Sequence, residues 1–268
     1  MSVPSVGAPA PAAFQAIATW GEALRLMLRH WAMLLGQIAI LCGLTFLVGL
    51  VVGILFGLTG GTPARAGIVG QALGTIVGFA LSVNICMGVS RLAAQNETPR
   101  IGAIFHWGSR QWRLLGVSLL CLAIVFAPFL AIFLLRPGPD AVEMGTAGFA
   151  SAGFFAGMLL WLVWAVVAAA KLGMITPIIA NDGPPGAIRQ SWNLARGHTA
   201  RLAGGILLVV FALVVAELVV MVPGFVLGAQ EGGLYVGIVQ AVGGSVGGIW
   251  MTAFFSLAWL KLRGRAAA

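Results

Sequence analysis

The sequence predicts an all-α membrane protein: six transmembrane helices with three cytoplasmic interfacial amphipathic helices, arranged as three repeated two-span units. Three observations carry this expectation. Hydrophobic residues make up 60% of the 268 positions and charged residues only 8%, against about a quarter charged in soluble domains, and the mean hydropathy is +1.03. Apolar stretches at 32–58, 67–92, 114–135, 149–180, 202–228 and 233–260 each reach the roughly 20 residues that a span needs. One short segment also recurs, at Ala23 to Gly36, Ala103 to Gly116 and Ala187 to Gly204, each copy bearing Trp and Arg and running into an apolar stretch.

Residues 1–13 are small and proline-rich, with no basic start before an apolar core. They are expected to form a disordered cytoplasmic tail, not a cleaved signal peptide. Residues 14–264 are expected to form a single transmembrane domain, with units at about 20–92, 101–180 and 186–262. With the N-terminus inside, all but two of the 15 Lys and Arg fall on the cytoplasmic side, the exceptions being Arg65 and Arg136. This positive-inside distribution puts both termini in the cytoplasm. The net charge of +8 then reports topology and contact with anionic lipid, and excludes nucleic acid as the partner.

Helical spacing makes each entry segment two-faced. In the first, Leu24, Leu28 and Trp31 oppose Glu22, Arg25 and Arg29; the two arginines would hold the start of the first span inside. Gly49, Gly53 and Gly57 line one face of that span, and Gly70, Gly74 and Gly78 one face of the next. Small-xxx-small faces allow close backbone approach, so these spans are expected to form a tight antiparallel hairpin. In the second segment, introduced by Thr98-Pro99, Ile101, Phe105 and Trp112 oppose His106, Arg110 and Arg113. Pro128 is placed to kink the third span, and Pro177 to kink or end the fourth. Lys171, near the inner end of the fourth span, is expected to snorkel to headgroups.

The third segment follows Pro184-Pro185-Gly186. It places Ile188, Trp192 and Ala195 on one face and Arg189, Asn193 and Arg196 on the other, with Arg201 at the entry to the fifth span. Helices of this kind lie in the interface plane with cations among headgroups. Deep in the fifth span stands Glu217, a functional candidate by default because intramembrane charge is costly. The competing structural role is a neutral carboxyl hydrogen-bonded to Gln71, Asn84 or Gln240. Pro223-Gly224 is placed to break the helix nearby. Gly243/Gly247 and Gly244/Gly248 offer further close-packing faces in the sixth span.

Catalytic chemistry is absent from the pattern. Glu22, Glu97, Asp140, Glu143, Asp182, Glu217 and Glu231 are scattered singly, with no paired carboxylates, nucleophile motif, phosphate loop or His-Glu-x-x-His. Cys42, Cys86 and Cys121 all lie in spans and imply no disulfide framework. His30, His106 and His198 fall one in each entry segment without a metal-ligand spacing. No metal or cofactor is expected.

The run Gly186-Ala187-Ile188-Arg189-Gln190-Ser191-Trp192-Asn193-Leu194-Ala195-Arg196-Gly197, followed by an apolar span, resembles the signature of the glycerophosphoryl diester phosphodiesterase membrane-domain family. Ser191, Trp192, Leu194 and Gly197 match its Ser-Trp-x-Leu-x-x-Gly core, and Asp182 stands where the family often has an acidic residue. The resemblance is close over 180–210 and extends in organisation over 15–264, while Leu257 to Arg263 departs from the family's Tyr-rich ending. It implies a bacterial inner-membrane protein of six spans, without the separate barrel-shaped domain that carries the phosphodiesterase activity.

The leading expectation is a non-enzymatic inner-membrane protein engaging anionic headgroups, a membrane-protein partner or a second copy through its entry segments. Arg25, Arg29, Trp31, Arg110, Trp112, Arg113, Arg189, Trp192, Arg196 and Arg201 are the contact candidates. The alternative is a transporter or channel for a small solute or lipid using Glu217, with Lys171 as a second intramembrane polar group. A lipid-headgroup enzyme using His198 and Asp182 is the third reading.

Overall fold

A computed structural model describes residues 15–59, 62–134, 147–181, 186–226 and 234–266. The tail at 1–13, Arg136, Asp140, Glu143, Asp182 and Glu231 lie outside them. Among the described residues the chain is helical throughout, in the order α1 (Ala16–Arg29), α2 (Trp31–Leu58), α3 (Pro63–Gln95), a 3-10 turn (Ile101–Phe105), α4 (Ser109–Leu134), α5 (Ala147–Leu172), α6 (Ile175–Ala180), α7 (Ala187–Leu194), α8 (Thr199–Val226) and α9 (Leu234–Ala266). Six segments are long and apolar enough to cross a membrane: Trp31–Leu58, Gly67–Gln95, Ser109–Ile132, Gly153–Ala180, Thr199–Val222 and Tyr235–Gly264. The chain is thus a polytopic membrane protein. The end of the bundle carrying α1, the 3-10 turn and α7 is the basic end.

The second and sixth spans and the short α6 segment of the fourth form the centre, while α5 lies outside against α4, α7 and α8. Near the basic end α3, α6 and α9 touch one another pairwise. The remaining spans lie outside in a cyclic order: α2 rests on α3 and α9, α4 on α5, α6 and α3, and α8 on α9 and α5. The entry elements follow this cycle only in part, since α7 rests mainly on the two segments of the fourth span and not on two neighbouring spans. α1 packs on α9 and α8, the 3-10 turn on α3 and α2, and α7 on α6 and α5. The repeated leucines Leu34, Leu114 and Leu202 are all buried, at 4%, 1% and 0% exposure. In α2 and α8 the turns that follow bury the same offsets, Ile38 and Leu41 in one and Ile206 and Val209 in the other.

Small residues set the close approaches. α2 and α3 pack along one another; a Cβ at Gly74 would stand 3.1 Å from Thr45 Cγ2, whereas one at Gly70 would be in ordinary contact, 3.5 Å from Gly49 Cα, and one at Gly49 would meet nothing within 4 Å. Gly53 and Gly57 likewise face open space. α3 and α9 run alongside one another through paired small polar residues: Thr252 Oγ1 lies 3.3 Å from Cys86 Sγ, and Ser90 Oγ lies 2.9 Å from Ser256 Oγ. Ser256 donates to the Thr252 carbonyl at 2.7 Å, which leaves Ser90 as the donor of the inter-helix bond. On α9 the adjacent rings of Phe254 and Phe255 fill the space left by Gly205 and Gly173.

Two expectations about helix breaks are corrected. The fourth span breaks at Gly173-Met174, between α5 and α6, and not at Pro177. Pro177 sits in the first turn of α6, where backbone N–H groups lack helical acceptors and proline is tolerated. α6 is almost wholly buried, through Ile175, Pro177, Ile178, Ile179 and Ala180. α8 continues unbroken to Val226, so Pro223-Gly224 does not interrupt the helix near Glu217. α4 likewise runs through Pro128.

Candidate functional site

The three entry segments differ in local structure but share what they expose. α1 is a helix over Ala16–Arg29, but its faces are not the expected ones. Thr19 and Ala23 are buried, and Trp20 stacks on Trp250 with centroids 5.3 Å apart. Lys261 Nζ lies 2.6 Å from Glu22 Oε2 and donates to Thr19 Oγ1 at 3.1 Å. Glu22 therefore leaves the polar face to pair with α9. Arg25 and Arg29 are exposed together with Ile17, Leu28 and Trp31. Apolar and cationic groups thus share one outward surface.

The second segment is not a helix across its length. A 3-10 turn covers Ile101–Phe105, and α4 starts only at Ser109. Two bonds explain the division. Asn84 Nδ2 on α3 donates to the Ile104 carbonyl at 2.7 Å, holding the turn with Ile104 buried. Gln111 Oε1 accepts from the Gly108 N–H at 3.0 Å, the N3-to-N-cap half of a capping box, which fixes where α4 begins. Arg110, Trp112 and Arg113 consequently stand exposed on the first turns of α4. Trp112 packs beside Trp107 at 5.1 Å.

The third segment is the short helix α7, bounded by Gly186 at φ +89 and Gly197 at φ +76. These left-handed conformations favour glycine, and the second turns the chain into α8. The buried stripe is Ala187, Ser191 and Ala195, not the expected Ile188, Trp192 and Ala195. Ser191 Oγ donates to the Lys171 carbonyl at 2.6 Å, satisfying an acceptor at the end of α5 where the helix stops. The Lys171 ammonium lies 4.5 Å from the Trp192 ring centroid, a cation–π contact. Arg189, Trp192, Arg196 and Arg201 are exposed. Each of the three segments therefore presents a pair of arginines and a tryptophan on the outside of the basic end.

Glu217 is half-buried on α8 against Gly243 of α9, where a Cβ would overlap its carboxylate. One turn away Leu213 lies over Gly247 in the same relation, 2.6 Å from where a Cβ would be. Glu217 makes no hydrogen bond to a described residue, so the expected pairing with Gln71, Asn84 or Gln240 is not formed; Asn84 is committed to Ile104. Its depth also differs from the expected one. At 1.5 Å per residue, it stands about 24 Å beyond Arg201, so in a core about 30 Å thick it is nearer the far boundary than the centre.

Among the described residues no three His, Cys, Asp or Glu converge on a possible metal site. The level where α3, α6 and α9 meet is filled by Met174, Ile178, Phe254 and Phe255, all buried. No protein family, curated protein or solved structure matches the chain.

Sequence patterns could not reveal Thr19, Asn84 and Ser191 as anchors. Each acts on a residue that only the fold brings near, except that Ser191 belongs to the Ser-Trp-x-Leu-x-x-Gly run.

Proposed function

We propose that this chain is a non-enzymatic protein of the bacterial inner membrane, with its basic end in the cytoplasm, that holds anionic lipid headgroups through its three entry segments. A single observation carries the reading: Arg25, Arg29 and Trp31, Arg110, Arg113 and Trp112, and Arg189, Arg196 and Trp192 are all exposed at one end of the bundle. Guanidinium groups bind phosphate oxygens bidentately, and an indole beside them matches the boundary between headgroup and acyl chain. The cyclic contacts of the outer spans support three repeated units about a pseudo-threefold axis along the membrane normal. Under that arrangement the headgroup sites recur around the rim. The resemblance of 186–197 to the phosphodiesterase membrane-domain family supports the same placement. A membrane-protein partner or a second copy of the chain is the other occupant such a rim would accept.

The test is lipid retention. Wild type reconstituted in mixed phosphatidylglycerol and phosphatidylcholine is expected to retain the anionic lipid preferentially on extraction, less so at high salt. Arg25→Gln, Arg29→Gln, Arg189→Gln and Arg196→Gln together are expected to abolish the preference. An unchanged preference contradicts the reading.

A second reading, transport of a small solute or lipid, draws on the Glu217 carboxyl, which makes no hydrogen bond among the described residues. It requires pH-dependent flux in liposomes that Glu217→Gln abolishes. Equal flux in wild type, variant and empty liposomes would dispose of it.

A further inference from the structure

Away from the basic end, α2, α3 and α9 separate around a cleft of about 800 Å³. Leu41, Ile85 and Ile249 lie at its inner end and Gly237, Ile238 and Gln240 at its outer end. At 1.5 Å per residue from Lys261, Ile249 stands about 18 Å and Gln240 about 32 Å along α9. In a hydrocarbon core about 30 Å thick, the cleft therefore runs from near the midplane to the boundary opposite the basic end. Its lining on α9 runs from Gly237 to Ile249, about 18 Å, comparable to the half-core that one lipid tail occupies, about 15 Å.

The walls favour hydrocarbon over water. The lining hydroxyls are turned back onto their own helices: Thr45 donates to Leu41 at 2.9 Å, Thr75 to Gln71 at 2.8 Å, Ser82 to Phe79 at 2.7 Å and Ser245 to Ala241 at 2.7 Å. A buried water needs two to four polar partners; these hydroxyls can still accept but have no donor left, and most of the remaining lining is hydrocarbon, from Phe46, Phe79, Ile238, Val242 and Ile249. Gly244 and Gly248 open the α9 wall, since a Cβ at either meets nothing within 4 Å. The Gln240 side chain is exposed and makes no hydrogen bond to a described residue. Its amide is thus available at the level where the ester and headgroup of a lipid begin.

We propose that this cleft is an acyl-chain site: it takes one tail of a phospholipid from the leaflet opposite the basic end, with the methyl end toward Ile249 and the ester region at Gln240. The site involves none of the entry-segment residues, and its test is independent of theirs.

The experiment uses phosphatidylcholine carrying a diazirine on one acyl chain, with the full-length protein in nanodiscs, and maps the adducts after irradiation. Adducts are expected to be enriched on 74–86 and 237–249, and lost in Gly244→Leu/Gly248→Leu, whose side chains would fill the cleft. Labelling of the exposed α5 face at Leu159 and Leu160, which are 64% and 72% exposed, is expected to stay unchanged, because it reports bulk lipid. Should the double variant fail to purify, Ala241→Leu fills the same space. Cleft labelling no denser than that of α5, or equal in wild type and a filled variant, would overturn the proposal.

Discussion

Gly204→Ala and Gly205→Ala, neighbouring substitutions in α8, are expected to have effects of opposite sign. Alanine is favoured over glycine in a helix by about 1 kcal/mol, and the two sites share that gain. They differ in what the new methyl meets. At Gly204 nothing lies within 4 Å, whereas at Gly205 it would fall on the Phe254 ring. That ring is fully buried and edge-on to Phe255, with centroids 5.4 Å apart, so it has little room to withdraw. Overpacking of this kind typically costs about 1–3 kcal/mol. Gly204→Ala is therefore expected to leave the thermal midpoint unchanged or raised, and Gly205→Ala to lower it. Phe254→Leu should relieve the second defect in a double-mutant comparison. Equal behaviour of the two alanine variants would mean that Phe254 does not pack on α8 as described.

Leu34→Ala, Leu114→Ala and Leu202→Ala are expected to destabilise to a similar degree. Each leucine occupies the same place in its copy of the repeat, and each is almost wholly buried. Losing a buried leucine side chain commonly costs about 2–5 kcal/mol through lost contacts and the cavity left behind. Leu120, on the lipid-facing side of α4 at 50% exposure, is the control and is expected to tolerate alanine. The measurement is thermal unfolding of the detergent-solubilised variants. One costly substitution with two silent ones would count against equivalent positions in three units.

The spans were legible because twenty-residue apolar runs have few alternatives to crossing a membrane. Their boundaries fell within a few residues wherever a charge or a turn closes the run, as at Trp31 and Leu58. The entry segments were legible as locations and only partly as structures. Spacing placed Glu22 with Arg25 and Arg29, but Lys261 lies far along the chain and draws Glu22 inward. Spacing also carried a helix through 103–116, whereas the Asn84 bond to Ile104 and the Gln111 cap at Gly108 split it. Ser191 reads as an ordinary polar helix residue until the end of α5 supplies a carbonyl for it. The break at Gly173-Met174 had no local punctuation stronger than Pro177; at Gly173 the Phe255 ring occupies the place a side chain would take. The cleft depends on how three helices diverge, which no periodicity records.

The exposed arginines and tryptophans were the part of the candidate site most readable in advance. Their residue types suit the interface whatever the local backbone does. Charge counting alone puts all three sets on one side; what the structure adds is which faces they expose and what anchors each segment.

Titration of the purified protein with phosphatidylglycerol, followed by native mass spectrometry, tests the central claim most directly. Three retained lipids are expected before binding becomes weak and unselective. Removing the arginine pair of one segment, Arg25→Gln/Arg29→Gln or Arg189→Gln/Arg196→Gln, should lower that number by one, and removing both pairs by two. Phosphatidylcholine retained equally well, or a stoichiometry unchanged by loss of the pairs, would contradict a headgroup-binding rim.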